Sequence, residues 1–214
     1  MKAAVLAALA VLQLSGRTAD TVAIPWLHGF STTAVTEGRE PGEPTDFTDE
    51  GLTCPADAQP PLRLTADVSP VAGRESILAT FSGGIRITSS EGVELASTAG
   101  TPCMGSADAL EVLAVGSIFH EKTLVLAFTT GGQREQQVWL GIYRVGFGGD
   151  IDALFAGVVE TRVDGIVRSG SVQFLPGALI YRPPGRGDSL WIFDPVVHTY
   201  TPRGPFDHEA EPHS

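Results

Sequence analysis

Two side chains in the C-terminal part of the chain have the types that nucleophilic hydrolysis uses. Ser189, within Gly187-Asp188-Ser189-Leu190, is the candidate nucleophile, and His198, downstream of Asp194, is the base it would need. A serine hydroxyl attacks only when a base lies within hydrogen-bond reach and donors await the oxyanion. Neither follows here, because Ser189 falls between Pro183-Pro184-Gly185 and the strand-like run Leu190–Phe193. The simpler reading is a polar turn feeding a strand. No catalytic residue is assigned, and Ser189 with His198 is the pair that an esterase would have to use.

Metal chemistry is the second class to weigh. A hard cation needs several oxygen ligands converging from one loop. The segment from Asp67 to Glu75 has a carboxylate at each end, but Ser69 and Val71 lie between them. The expectation is no metal, with Asp67 and Glu75 as the residues a calcium ion would have to use. His208-Glu209-Ala210-Glu211-Pro212-His213 has its imidazoles at the wrong spacing for one helical face, with Pro212 between them. Gly146-Phe147-Gly148-Gly149 is followed by Asp150 and Asp152, which repel phosphate, and reads as a hairpin connection. Trp139 with Tyr143, and Trp191 with Phe193, share parity on two strands and read as core faces rather than as a glycan platform.

The elements that must position these residues are short strands. Gly at 25 and Pro at 15 punctuate the chain frequently. Runs such as Ser76–Phe81, Ile85–Ser89, Thr123–Thr130, Gln137–Val145, Ala153–Glu160 and Ala178–Tyr181 are bounded by Gly, Pro or Asp. Gly83-Gly84 predicts a hairpin turn. Asp108–Val115 reads as a strand or as a short helix capped by Asp108. From Thr32 to Pro61 no hydrophobic period is visible, and Glu37, Glu40, Glu43, Asp46, Asp49, Glu50 and Asp57 alternate with prolines. Residues 24–61 therefore read as an acidic, Pro-rich arm or loop. Ile77–Gly84 matches Val125–Gly132 at an offset of about 48 residues, and Gly177–Tyr181 begins a third such unit. The fold class is all-β: blades of a propeller or partial propeller built from three repeats over 62–203, with a β-sandwich as the alternative.

The net charge of −11 repels nucleic acid and anionic lipid surfaces, so neither is a partner. Residues 1–23 have an export pattern: Lys2, an apolar stretch from Ala3 to Leu14, and a small-residue cleavage site at Thr21-Val22-Ala23. No run is long enough for a membrane-spanning helix. An exported chain is secreted or periplasmic, and Cys54 with Cys103, its two cysteines, then form a disulfide that stabilises by roughly 4 kcal/mol. Residues 204–214 are an acidic tail.

Leu64–Ala79 and Ala114–Ala127 each resemble an FG-GAP or VCBS-type β-propeller repeat, and Ser189–Pro195 resembles a blade strand entering its turn. The resemblance covers about half the chain and implies an Asp-rich, calcium-binding loop before a strand, with the hairpin that follows forming the blade. Asp67 and Glu75 keep part of that loop, and the second loop retains only Glu121. Gly187-Asp188-Ser189-Leu190 also resembles the nucleophile block of the GDSL esterases. In that family the block lies near the N-terminus, and its catalytic Asp and His are two residues apart. Here the block is late and the Asp194–His198 spacing is longer. The expectation is an exported, non-catalytic β-rich binding or structural protein with a protein or glycan partner. Its alternatives are an esterase using Ser189, or a subunit that completes a propeller by self-association.

Overall fold

The computed structural model describes residues 23–37, 61–70, 73–80, 84–98, 109–131 and 134–205, which hold strands and turns without a helix. Cys54, Cys103, residues 206–214 of the acidic tail and all but Ala23 of the export segment lie outside the described residues, while the first two residues of the tail end the last strand. The first strands are β1 (Leu27–His28) and β2 (Ser31–Glu37). β3 (Leu62–Ala66), β4 (Glu75–Ala79), β5 (Ile85–Thr88) and β6 (Glu94–Ser97) then form an antiparallel meander, the first sheet.

The middle sheet has the longest strands. β7 (Ala109–Ile118), β8 (Glu121–Gly131), β9 (Glu135–Val145) and β10 (Ile151–Val163) run antiparallel in sequence order. The short β11 (Ile166–Ser169) closes one edge and β2 adds to the other, beside β7. The last sheet is a third meander, β12 (Ser171–Leu175), β13 (Ala178–Arg182), β14 (Ser189–Asp194) and β15 (Thr199–Pro205), with β1 lying parallel to β12.

Two hydrophobic cores join these sheets, one on each face of the middle sheet. Val125, Ala127, Val138, Leu140 and Ile142 share a core with Val172, Phe174 and Leu179 of the last sheet. Leu124, Leu126, Leu113 and Val115 share the other with Ile77, Ile85 and Ile87 of the first sheet. Successive strand residues face opposite ways, so Leu124 through Ala127, all fully buried, feed the two cores alternately. A strand buried on both faces reads as a continuous apolar run, which is why this segment lacks the alternation of a half-exposed strand. The molecule is thus three sheets stacked face to face in chain order.

Specific polar bonds tie the layers. The Tyr181 hydroxyl of the last sheet donates to the Val158 carbonyl of the middle sheet at 2.7 Å. The buried Glu160 accepts from the Trp26 indole at 3.1 Å and from Arg162 Nε at 2.7 Å, so its charge is paired rather than stranded. Gly157 has no Cβ because one would meet the Phe155 ring at 2.7 Å. That space holds the edge-to-face cluster of Phe155, Tyr181 and Trp191.

The repeat seen in sequence marks equivalent positions. Ile77-Leu78-Ala79, Val125-Leu126-Ala127 and Ala178-Leu179-Ile180 lie in β4, β8 and β13, the second strands of the three meanders. The hairpin at Gly84 is present: Thr80 N–H donates to the Gly84 carbonyl at 2.8 Å, and β4 pairs with β5. One local expectation is corrected, and one choice that the sequence left open is decided for the strand. Ser31–Glu37, inside the segment read as a loop, is a strand because β7 offers it an unpaired edge, with Val35 and Ala34 turned to the two cores. Asp108–Val115 holds no helix within the described residues: β7 begins at Ala109 and sends Leu113 and Ala114 to opposite cores.

Candidate functional site

One end of the stack gathers three of the four left-handed non-glycine residues among those described, the fourth being Asp164 in the β10–β11 turn. The turn between β7 and β8 consists of Phe119 and His120, both at positive φ (49° and 72°). Two such residues in succession suit a tight hairpin, but Asn and Gly normally fill those positions, and a phenylalanine there is strained. His198, in the turn between β14 and β15, is also left-handed at φ 52°. The third turn at this end, Gly146 to Asp150, connects β9 to β10, as its sequence predicts, and is closed by Gly146 N–H donating to the Asp150 carbonyl at 2.8 Å.

Behind these turns runs a row of charged side chains on the middle sheet. Arg144 Nη2 lies 3.1 Å from Asp152 Oδ2, and its Nη1 lies 3.8 Å from Glu121 Oε2. His198 Nδ1 lies 3.5 Å from the same Asp152 oxygen, which links the last sheet to the row. Lys122 Nζ contacts Asp67 Oδ1 at 2.5 Å and donates to the Ser69 carbonyl at 2.9 Å, which links the first sheet. Glu121 and Arg144 separate two clefts. The larger, about 510 Å3, lies toward the first sheet and is lined by Val68, Lys122, Phe147, Asp150 and His198. The smaller, about 200 Å3, lies toward the last sheet and is lined by Phe119, Leu154, Phe174, Phe193 and Tyr200. Burial raises the Tyr200 phenol above its ordinary pKa, with Glu121 adding to the rise and Arg144 opposing it.

The rim is apolar and open to solvent. Phe147 is 91% exposed, Val196 86%, Val197 59% and Phe119 50%. Scattered single apolar side chains on a surface need no explanation, but here they crown three turns around two adjoining clefts.

The residues singled out in sequence fare differently. Ser189 Oγ donates to the Tyr181 carbonyl and accepts from the Trp191 indole, each at 3.0 Å, so the hydroxyl is held as a strand-to-strand clip. It starts β14, whereas His198 lies past the end of that strand. Six residues of strand separate the two positions by roughly 16 Å, and the structure does not bring them together. Asp67 and Glu75 also diverge. Glu75 is buried and accepts from Val68 N–H at 2.9 Å and from the Ser69 hydroxyl at 2.5 Å, while Asp67 faces Lys122. Among the described residues no group of three or more His, Cys, Asp or Glu is placed to hold a metal ion. Cys54, Cys103 and the His208–His213 tail lie outside the described residues. Tyr143, Trp191 and Phe193 pack against the cores, as their parity suggested, whereas Trp139, read with Tyr143, is half-buried and belongs to neither core.

Sequence reading missed Phe119, Glu121, Arg144 and Asp152 as members of one site. They come from one turn and three separate strands and share no motif, and the only local signal was an aromatic and a histidine where a turn calls for Asn-Gly. No family model, curated protein or solved structure matches the chain.

Proposed function

We propose that this chain is an exported, non-catalytic binding module that holds an apolar segment of a protein partner at the turn end of its sheet stack. The observation that carries the reading is that exposed Phe119 and Phe147 line the two clefts, with Val196 and Val197 exposed in the turn that brings His198 to the larger one. Such apolar surface, surrounded by polar groups, is what partner-binding faces present. Peptide is favoured over glycan because the exposed rim side chains are Phe and Val, without the polar handle of Tyr or Trp, while Tyr143 and Trp191 pack against the cores and Tyr200, in the wall of the smaller cleft, is half-buried. The strained Phe119-His120 turn supports the same face, since strain of this kind gathers at functional sites.

In this reading the three meanders are blades of a partial propeller of the FG-GAP or VCBS type, and β1 and β2 run beside the first strands of the last two blades. Support comes from the face-to-face stacking and from the repeat falling on second strands. A layered β-sandwich is the alternative. Export from residues 1–23, to the periplasm or beyond, and a Cys54–Cys103 bridge complete the proposal. No calcium, nucleic acid or membrane insertion is part of it.

The test uses the full chain as secreted from an expression host, panned against a displayed random peptide library and applied in parallel to a glycan array. Enriched peptides should bind at least about tenfold more weakly to a Phe119→Ser, Phe147→Ser double variant. Peptides that bind both proteins equally, or no enriched peptide at all, overturn the assignment of this face, and glycan binding alone moves it to carbohydrate.

A further inference from the structure

The two outer sheets of the stack end differently. On the outer face of the first sheet, Arg63, Thr65, Ser76 and Arg86 are all exposed. The one large apolar side chain there, Leu78, is paired directly with Arg63 on one side and Arg86 on the other. Arginine stems can cover such a residue while their charged heads stay in water. Arg86 also meets Glu94 at 3.4 Å on this face. A polar outer face is what a terminal unit of a stacked array needs in order to stay soluble.

Among the described residues, the last sheet lacks that cap. Its cross-strand partners place Gln173, Ile180 and Leu190 in one outward row, and Leu175, Ala178, Ile192 and Thr201 in the next. The five apolar members, Leu175, Ala178, Ile180, Leu190 and Ile192, are half-buried and belong to neither core. Their inward neighbours Val172, Phe174, Leu179, Tyr181 and Trp191 fill the core behind them. The sheet is therefore apolar on both faces, the pattern of an interior layer, although it ends the stack. The charge at its margin is balanced, since Arg182 makes a two-pronged pair with Asp188. In a chain of net charge −11, a balanced face is one on which two copies meet without repulsion.

We propose that this face is the contact between two copies of the chain, paired last sheet to last sheet about a two-fold axis. The alternative closure, in which two copies complete a ring by laying the last sheet of each on the first sheet of the other, would bury Arg63 and Arg86 against aliphatic side chains, and desolvating them there is unfavourable. An isologous pairing buries like against like and leaves both polar first sheets outermost. Five strands at 4.8 Å spacing and about five residues in length give roughly 400 Å2 in projection per copy, more in accessible surface. Two copies thus reach about the 1,000 Å2 at which specific contacts begin. The pair should form reversibly and dissociate on dilution. This contact is separate from the turn-end rim, so either proposal can fail without the other.

Sedimentation of the full chain over a wide concentration range reads the outcome directly. Two-chain mass at high concentration is expected, lost in Ile180→Glu and in Ile180→Lys alone and restored when these two variants are mixed. Gln173→Glu, at an exposed position of the same row, should weaken the pair several-fold and keeps the test standing if Ile180 does not tolerate charge. Arg63→Glu should leave the mass unchanged. A monomer at every concentration overturns the proposal, as does a pair that survives the Ile180 and Gln173 variants or is lost with Arg63→Glu.

Discussion

Phe119 is the residue at which the stability of this protein and its proposed work pull apart. A bulky side chain in the left-handed region costs of order 1–2 kcal/mol, yet Phe119 holds φ 49° with half its surface in water. The sequence contains no asparagine, so left-handed turn positions fall to Gly, Asp or, here, to Phe and His. Phe119→Asn is expected to stabilise the chain by about 0.5–1 kcal/mol, seen as a higher denaturant midpoint at unchanged slope. The same variant should bind selected peptides more weakly. A lower midpoint would show that Phe119 contributes more by packing into the smaller cleft than it costs in backbone strain.

At the scale of elements, the informative case is β2. Its sequence, Ser31 to Glu37, is mostly exposed or half-buried and carries little apolar pattern. What makes it a strand is the free edge of β7, which supplies main-chain partners from Ser117 to Val112. The approach is close at Gly116, where an added Cβ would meet the Ser31 carbonyl at 2.3 Å and the Phe30 ring at 2.5 Å. Gly116→Ala should therefore push β2 off its edge, destabilising by about 1–3 kcal/mol. Hydrogen exchange should quicken in β2 while β8 and β9 stay protected. Uniform loss of protection across the middle sheet would mean that β2 is integral to that sheet rather than an addition to its edge.

For the molecule as a whole, all three tyrosines report on the folded state. Tyr143, Tyr181 and Tyr200 are the only tyrosines in the chain, and burial is the first cause that raises each phenol. A group that holds its proton more tightly when folded leaves stability constant below its unfolded pKa, about 10 for a phenol. Stability then falls as the pH rises from there toward the folded value, because the unfolded chain releases protons that the folded chain keeps. The expected result is alkaline unfolding that begins above about pH 10, with tyrosinate absorbance and loss of β signal rising together. Phenols that ionise at an ordinary pH before any unfolding would contradict their burial.

The strands, the hairpin at Gly84 and the repeat were legible because they depend on local patterns: alternation, turn glycines and a recurring apolar run. The aromatic parity of Trp191 and Phe193 was legible for the same reason. That Leu124 to Ala127 serves two cores at once was not, since a continuous apolar run fits a buried strand whatever lies on either side. Nor could spacing reveal that Ser189 is held as a clip far from His198, because the direction of a strand is set by its partners. Glu121, Lys122, Arg144 and Asp152 line up where β8, β9 and β10 end side by side, and Asp67 and His198 reach them only because the outer sheets end at the same place. Sequence alone determined that the chain is all-β and acidic, since alternation and net charge are properties of neighbouring residues and of sums. Which turns share an end, and which strand faces fall outside both cores, depend on contacts between distant strands, and only the tertiary structure decided them.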